Sequence, residues 1–249
     1  MTDDNPFNLR AARVSGQLTE RTRIYAIGDI HGRSDLLEPL LARIEEHISL
    51  SPSARPIIVF LGDYVDRGPS SRQVIDRLVQ LTESREAVFL KGNHEEYLLK
   101  FLENSSFLSS WLRLGGLDTL RSYGLAPTNH RGVLGQELLA MSLIQVLNDS
   151  GHLDFLRSLR PSFACGDYFF AHAGVRPGVP LDQQKEKDLL EIRGEFLRYQ
   201  SDFGKIVVHG HTAVLKPEVH SNRINVDTGA YATGKLTCLV IDDDQLQFV

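Results

Sequence analysis

Short loops rich in aspartate, histidine and glycine recur along the 249-residue chain, each directly after an apolar run. The stretch IVFLGDYVDRGPSS, residues 57–70, places Asp63, Asp66 and Arg67 at the end of one such run. The stretches GDIHG, GNHE, HAG and HGHT follow other apolar runs in the same way. Carboxylates, imidazoles and amides are metal ligands, and arginine suits phosphate oxygens. The pattern therefore predicts metal-dependent chemistry on a phosphate group.

The candidate site is the set of polar side chains at these loop ends. Glycine flanks almost every one of them, which lets backbones approach closely and take positive φ. Ligands of α/β sheets bind beyond the carboxyl ends of the strands, so we expect these side chains to converge. The set comprises Asp29 and His31, then Asp63, Asp66 and Arg67, then Asn93 and His94, followed by His172, His211 and the DTGA turn at residues 227–230.

The donor types indicate which ion the site would hold. Carboxylates, an amide and several imidazoles suit one or two divalent ions of the Mn, Fe or Zn kind, and are too nitrogen-rich for Ca or Mg. Carboxylates crowded together without a cation would repel one another and raise each other's pKa. Two metals about 3.5–4 Å apart can share a carboxylate, activate a bridging water and clamp a phosphate.

Each loop taken alone has a simpler interpretation. Asp66 and Arg67 could form a surface ion pair, and Asn93 could be a turn residue. Five loops with the same composition, each at the end of a strand, are difficult to explain as turns alone. The remaining histidines, at positions 47, 130, 152 and 220, lie outside such loops, and we interpret them as surface or structural residues.

Strands and helices alternate in the part of the chain that must position these loops. The segments SDLLEPLLARIEEHI and SSRQVIDRLVQLTES have helical periodicity, with Ser34 or Asp35 and Ser70 or Ser71 available as caps. Alternation of this kind is typical of an α/β sheet. Buried strands are predicted within residues 23–30, 56–63, 87–93, 167–174, 205–212 and 223–230, and a β-hairpin at the C-terminal end.

The predicted organisation is a single domain. Residues 1–22 form a polar N-terminal tail, and 23–249 form the domain, with a helical insertion at about 96–160 where strand signals are absent. The net charge of −5 gives no basic surface for nucleic acid, and apolar runs are too short to span a bilayer. Two widely spaced cysteines and no signal-peptide pattern fit a cytoplasmic protein.

In its motifs GDIHG, GDYVDRG, GNHE, HAG and GHT, the chain resembles the phosphoprotein phosphatase family of calcineurin-like metallophosphoesterases. HAG in place of HGG, and VDTGAY in place of SAPNY, are similar to its bacterial and phage serine/threonine phosphatase branch. The resemblance covers about residues 23–240. It implies an α/β (α+β) fold, a four-layer α-β-β-α sandwich with a dimetal site at the carboxyl edge of the strands and a helical insertion.

The resemblance also implies roles for the individual residues. Two divalent ions, Mn²⁺ first and Fe or Zn as alternatives, would supply a bridging hydroxide that attacks phosphorus directly. His94 would be the general acid, held by Asp66, and Arg67 and Arg193 would bind phosphate oxygens. His209 would not bind a metal but would lie next to the ligands and help to orient them. The metal ligands would be Asp29, His31, Asp63, Asn93, His172 and His211.

The implied substrate is a phosphoserine or phosphothreonine protein, with phosphotyrosine or a small phosphoester as further possibilities. The alternative is a symmetrical bis(5'-nucleosyl)-tetraphosphatase or another nucleotide phosphoesterase, which GDIHG and DTGA also fit. Asp66 and Glu95 favour the phosphomonoester branch over that alternative. A third reading, a catalytically inactive scaffold, conflicts with the filled ligand positions. Oligomeric state leaves no trace in the sequence.

Overall fold

The structure is a computed structural model that describes residues 16–19, 21–50, 54–127, 132–242 and 245–249. Most of the predicted tail, residues 1–22, and His130 lie outside the described residues.

Ten strands form two five-stranded sheets within the described ranges. In the first sheet β1, β2 and β3 are parallel, and the C-terminal hairpin adds β9 and β10 antiparallel to β1. In the second sheet β5, β6 and β8 are parallel and lie between two antiparallel edge strands, β4 and β7. The strands are β1 (Thr22–Ile27), β2 (Arg55–Phe60), β3 (Ala87–Phe89), β4 (Ser162–Cys165), β5 (Tyr168–Ala171), β6 (Ile206–His209), β7 (Glu218–Val219), β8 (Arg223–Asn225), β9 (Cys238–Asp242) and β10 (Gln245–Phe248).

All six predicted buried strands and the C-terminal hairpin are confirmed, but each parallel strand is shorter than its apolar run. β1 ends at Ile27 and β2 at Phe60, so the following Gly-Asp residues belong to loops. The two edge strands β4 and β7 were not predicted. The sequence Ser-Phe-Ala-Cys of β4 is short, and β7 has only two residues, so neither gives a clear periodic signal.

Helices cover the outer faces of both sheets. α1 and α2 follow β1 and β2, as the periodicity predicts. Ser70 precedes α2 at the cap position but makes no cap hydrogen bond through its side chain. The helices are α1 (Ser34–Leu50), α2 (Ser71–Ser84), α3 (Asn93–Glu103), α4 (Leu108–Leu114), α5 (Gly116–Ser122), α6 (Gly132–Asp149), α7 (His152–Ser158), α8 (Glu186–Glu191), α9 (Gly194–Leu197) and α10 (Ala230–Thr233).

Three apolar clusters show how the layers stack. Ile24 and Val59 of the first sheet pack against Phe170 and Val208 of the second, which places one cluster between the sheets. The opposite face of the first sheet packs on α1 to α7, and the opposite face of the second on α8 and α9. The predicted four-layer α-β-β-α sandwich is therefore confirmed. Alternate residues of β1 face the two clusters, as expected for a strand buried on both sides.

Helices and loops occupy residues 93–127 and 132–158 without a strand, where the sequence predicts a helical insertion. Division of the chain into one domain with an insertion stays a prediction. Among the described residues, no helix is long and apolar enough to cross a membrane.

A buried polar relay joins three of these helices. The hydroxyl of Tyr123, after α5, lies 2.8 Å from Nδ1 of His152, and Nε2 of that ring lies 3.0 Å from Oδ1 of Asp76 in α2. Only 1 % of the His152 side chain is exposed. The histidine thus has a structural role, as the sequence indicates.

Replacing Tyr123 by phenylalanine is expected to destabilise the protein by about 1–2 kcal/mol, because His152 would lose a partner in a buried site. Urea denaturation at fixed metal concentration measures the change. An unchanged midpoint would show that the relay does not contribute to stability.

Candidate active site

The predicted loops converge at the carboxyl ends of the parallel strands of both sheets. His31 Nε2 lies 3.5 Å from Oδ2 of Asp63, and Nε2 of His172 lies 3.4 Å from Oδ1 of the same carboxylate. His172 Nε2 is also 3.1 Å from Oδ1 of Asn93 and 3.2 Å from Nδ1 of His211. Asp63 therefore lies between two sets of potential metal ligands, which is the position of a carboxylate that bridges two ions.

Hydrogen bonds to backbone carbonyls orient two of the histidine rings. Nδ1 of His31 lies 2.9 Å from the carbonyl of Val65, and Nδ1 of His172 lies 2.9 Å from that of Leu61. A carbonyl can only accept, so each Nδ1 carries the proton and each Nε2 keeps a lone pair. Both lone pairs point toward Asp63.

The electrostatic state of the rings also suits metal ligation. Burial lowers the pKa of His31 to about 3 and that of His211 to about 2, so both are neutral at neutral pH. Burial alone would raise the pKa of Asp63, but the surrounding imidazoles outweigh it and lower that pKa. Neutral imidazoles around an ionised carboxylate are the forms that bind a divalent cation.

Two groups of side chains among the described residues place their ligand atoms within 4.8 Å of one another: His31, Asp63 and His94, and Asp63, His172 and His211. Nε2 of His211 and Nε2 of His94 are buried without a hydrogen-bond partner. The unpartnered Nε2 of His211, together with the lone pairs on Nε2 of His31 and His172, fits the predicted divalent ions. Nε2 of His209 is also buried without a hydrogen-bond partner, but His209 belongs to neither group. Its ring packs edge-on against Phe196, with 4.9 Å between the ring centroids. The geometry thus favours His211 as the ligand of the HGHT motif.

Asp29 lies beside these groups without belonging to either. Its carboxylate oxygens accept from the backbone N–H of His211, at 3.1 and 3.2 Å. Burial, followed by the charges of Asp227 and Asp63, raises the pKa of Asp29 well above its usual range, and burial raises that of Asp227 to about 6. This is the carboxylate crowding that a cation would relieve.

Backbone strain is concentrated in the same loops. Among the described residues, six non-glycine residues have a positive φ, and five of them are predicted site residues. An L-residue adopts this conformation only where the surrounding structure enforces it, and such positions cluster at functional sites. The five are His31, Asp63, Asp66, Arg67 and His211.

Two glycines make the close approach of these loops possible. A Cβ on Gly92 would lie 2.1 Å from Oδ1 of Asp63, and one on Gly210 would lie 2.2 Å from Oδ1 of Asp29. Both positions leave no space for a side chain against the carboxylates. The expectation that glycine lets the loops converge holds in this detail.

Glu95 of the GNHE motif holds two of the loops together. Its buried carboxylate accepts from the backbone N–H groups of Asp63, Tyr64, Val65 and Gly92, at 2.7 to 3.2 Å. Burial raises the pKa of Glu95 to about 7, against the lowering effect of these hydrogen bonds. In the sequence, Glu95 serves only to favour one branch of the family over another. Its position two residues after Asn93, at the start of α3, was the signal for its role.

Glu95→Gln is expected to lower the free energy of unfolding by roughly 2–4 kcal/mol, because an amide N–H₂ would face backbone donors. Chemical denaturation of the variant beside Glu103→Gln, on the exposed side of the same helix, measures this loss. Equal midpoints for the two variants would contradict the role given to Glu95.

His94 and Asp66 form a buried pair next to the metal-ligand groups. Nδ1 of His94 lies 2.7 Å from Oδ2 of Asp66, and its Nε2 lies 3.7 Å from Oδ2 of Asp63. Burial would lower the pKa of His94, but the charge of Asp63 and the hydrogen bond to Asp66 outweigh it and raise that pKa. A proton on Nε2 would face the site.

The two predicted phosphate-binding arginines are exposed at the edge of the site. The guanidinium of Arg67 lies over the ring of Tyr231, 4.6 Å from its centroid. Arg193 precedes α9. Burial lowers the pKa of His172 and His211, and the charge of Arg193 lowers both further, which places its charge near the second ligand group.

Most of the chain matches the sequence model of one protein family. The model of the calcineurin-like phosphoesterases aligns with residues 22–215. The chain belongs to this family. The resemblance found in the motifs is thereby confirmed at the level of the metallophosphoesterases, whose chemistry is phosphoester hydrolysis with divalent metal ions.

A curated relative shows a similarity over nearly the whole chain. The bis(5'-nucleosyl)-tetraphosphatase PrpE [asymmetrical] of Oceanobacillus iheyensis is 29% identical over 232 residues, 86% of this chain and 87% of the relative.

Solved structures share the fold. A crystal structure provisionally described as a diadenosine tetraphosphatase has a TM-score of 0.63 at 22% identity, covering 96% of this chain and 98% of that one. A cold-active protein tyrosine phosphatase also has a TM-score of 0.63, at 19% identity, covering 92% and 78%. At these identities the structures support the four-layer fold alone.

Proposed function

We propose that this phosphoesterase hydrolyses nucleotides, with dinucleoside tetraphosphates as the first substrate class. The observation that carries the proposal is the relative from Oceanobacillus iheyensis, whose name gives this activity and whose similarity extends along most of both chains. Asp66 and Glu95 favoured a protein phosphatase on sequence grounds. Similarity over 232 residues carries more weight than two positions. The relative is named asymmetrical, whereas the alternative that the motifs suggest is a symmetrical tetraphosphatase.

The residues that would hold the metal ions are the six predicted ligands, with Asp63 shared between the two ions. When bound, the ions supply positive charge that neutralises the phosphate oxygens and lowers the pKa of a coordinated water. The nitrogen content of the set suits Mn, Fe or Zn. The proposed ligands are Asp29, His31, Asp63, Asn93, His172 and His211.

The remaining side chains have roles at the phosphate. Arg67 and Arg193 bind its oxygens from the exposed edge of the site, where a substrate can reach both. His94 donates the proton on Nε2 to the leaving oxygen, and Asp66 holds the ring in the orientation that this requires.

The pairing of His94 with Asp66 supports a second candidate, hydrolysis of phosphoserine or phosphothreonine in proteins. An alkoxide leaving group needs a proton donor in the transition state. Cleavage of a phosphoanhydride releases a phosphate, whose second pKa is about 6, and needs one less. A buried acid held this firmly is therefore more useful on a phosphomonoester.

Phosphate release and nucleotide products, measured with Mn²⁺ added, distinguish the two candidates. The panel is diadenosine tetraphosphate beside phosphoserine, phosphothreonine and phosphotyrosine peptides. We expect turnover of the dinucleotide into ATP and AMP, the asymmetrical products, and two ADP molecules would indicate symmetrical cleavage. Turnover of the peptides without the dinucleotide would overturn the proposal in favour of the second candidate.

Tyr231 is expected to contribute to nucleotide binding. Its ring is 42% exposed and lies beside Arg67 and 5.4 Å from the ring of His31, so a nucleobase near the bound phosphate can stack on it. Stacking of a base on an aromatic ring contributes about 1–3 kcal/mol. Tyr231→Ala should raise KM for the dinucleotide about tenfold and leave KM for β-glycerol phosphate, which has no aromatic ring, nearly unchanged. Tyr231→Phe should behave as the wild type. Equal increases for both substrates would contradict base stacking.

A further inference from the structure

The helical insertion contacts the site through the carboxylate of Asp66. Asp66 is fully buried, and besides His94 it accepts hydrogen bonds from two side chains of the insertion. Nε1 of Trp111, in α4, lies 3.0 and 3.1 Å from the two carboxylate oxygens. The hydroxyl of Thr119, in α5, donates to Oδ1 at 2.6 Å. Both residues are themselves fully buried.

The backbone of Asp66 is held by the same network. Its N–H lies 2.8 Å from Oγ1 of Thr119 and 3.1 Å from Oγ of Ser71. The φ of Asp66 is +72°, a strained conformation that needs such support. Among the described residues, every hydrogen-bond partner of the carboxylate other than His94 thus comes from α4 or α5.

We propose that Trp111 and Thr119 are positioning residues, which hold Asp66 in the one orientation that aligns His94 for proton transfer to the leaving group. The inference rests on the proposed role of His94 as the acid and is independent of whether the substrate is a nucleotide. A free aspartate could rotate about χ1 and χ2 and release the imidazole. Three donors that converge on one carboxylate remove that freedom before substrate binds.

The insertion also contacts Arg67. Its backbone N–H lies 3.4 Å from the carbonyl of Gly115, between α4 and α5, and a Cβ on Gly115 would lie 2.9 Å from Cγ and N of Arg67. The insertion therefore packs against the phosphate-binding arginine as well as against Asp66. The insertion thus contacts two neighbouring residues of the GDYVDRG loop, Asp66 and Arg67.

The test separates a loss of proton transfer from a loss of fold. Trp111→Phe keeps the stack on Phe101 and removes the indole N–H, and Thr119→Val keeps the shape and removes the hydroxyl. The matched control is Tyr123→Phe, which removes a buried hydroxyl four residues after Thr119 but far from Asp66 in the network. All proteins are full-length and assayed with Mn²⁺.

The substrates are phenyl phosphate, whose phenoxide leaving group is basic enough to benefit from a proton (the pKa of a phenol is about 10), and 2,4-dinitrophenyl phosphate, whose anion leaves without one. Each variant should lose about 10-fold in kcat on phenyl phosphate and the double variant about 100-fold, with KM unchanged and less than about 3-fold loss on the dinitrophenyl ester. Equal losses on both esters, or the same pattern in Tyr123→Phe, would overturn the proposal.

A spectroscopic measurement tests the contact itself. Trp111 is the one tryptophan of the sequence, so its indole N–H gives a single resonance in a ¹H–¹⁵N spectrum. We expect Asp66→Asn to move that resonance strongly and Thr119→Val to move it less, while Tyr123→Phe leaves it in place. A resonance insensitive to Asp66→Asn would overturn the proposal even if the esters were not hydrolysed. Failure of the dinucleotide assay would leave both readouts intact.

Discussion

Asp63→Asn is expected to lower kcat/KM by about 10³-fold or more and to reduce the metal content below two ions per chain. The carboxylate lies between His31 on one side and His172 on the other, so both ions depend on it. Metal charge at a phosphate contributes several kcal/mol to transition-state stabilisation, and each 1.4 kcal/mol is a factor of about ten. Elemental analysis after dialysis against Mn²⁺, beside steady-state kinetics, measures both effects.

Asp154→Asn, at an exposed position of α7, is the matched control for the loss of one carboxylate. It should keep the metal content and the rate of the wild type. Full activity of Asp63→Asn with one ion per chain would show that Asp63 is not shared between two ions. Full metal content with lost activity would assign Asp63 a role at the substrate instead.

The chain order of the motifs made the site predictable, because each polar loop follows a parallel strand. Asp63 and Asn93 come directly after β2 and β3, and parallel strands bring their carboxyl ends to one edge. His172 and His211 follow β5 and β6 in the second sheet in the same way. The local sequence thus predicts that the polar loops converge, once the strands before them are known to be parallel.

Hydrogen bonds between residues far apart in the sequence could not be predicted in the same way. Trp111 has the helical spacing of a core residue and is indeed fully buried, so its hydrogen bond to Asp66 leaves no mark in the apolar pattern. The sequence around Thr119 gives no sign of its contact with the same carboxylate, because that contact arises from the packing of α5. Both depend on how the insertion docks, which periodicity does not describe.

Asp227 was missed for a different reason. The DTGA turn was included in the candidate site, but its aspartate was given no role as a ligand or a catalytic group. Its carboxylate accepts a hydrogen bond from the backbone N–H of Gly229 at 2.8 Å, and its charge raises the pKa of Asp29. A carboxylate after a strand, in the register used by Asp29 and Asp63, was the signal that could have identified it.

His94→Asn is the variant with the most informative loss, because the effect should depend on the leaving group. On phenyl phosphate or a phosphoserine peptide we expect kcat to fall by about 10² to 10⁴-fold, the usual contribution of a general acid. On diadenosine tetraphosphate the loss should stay below about tenfold, since the departing phosphate is stable without a proton. Rates on the two substrate classes at one pH measure the ratio.

The same variant decides between two roles that the geometry allows for His94. Its Nε2 falls within the ligand group of His31 and Asp63, yet Asp63 and Asp66 raise the pKa of its ring, whereas burial lowers that of His31 and His172. The raised pKa favours a protonated ring over a metal ligand. We therefore expect His94→Asn to keep two metal ions per chain, as His220→Asn at the exposed surface should. Loss of one ion together with equal losses on both substrate classes would move His94 from the acid to the ligands.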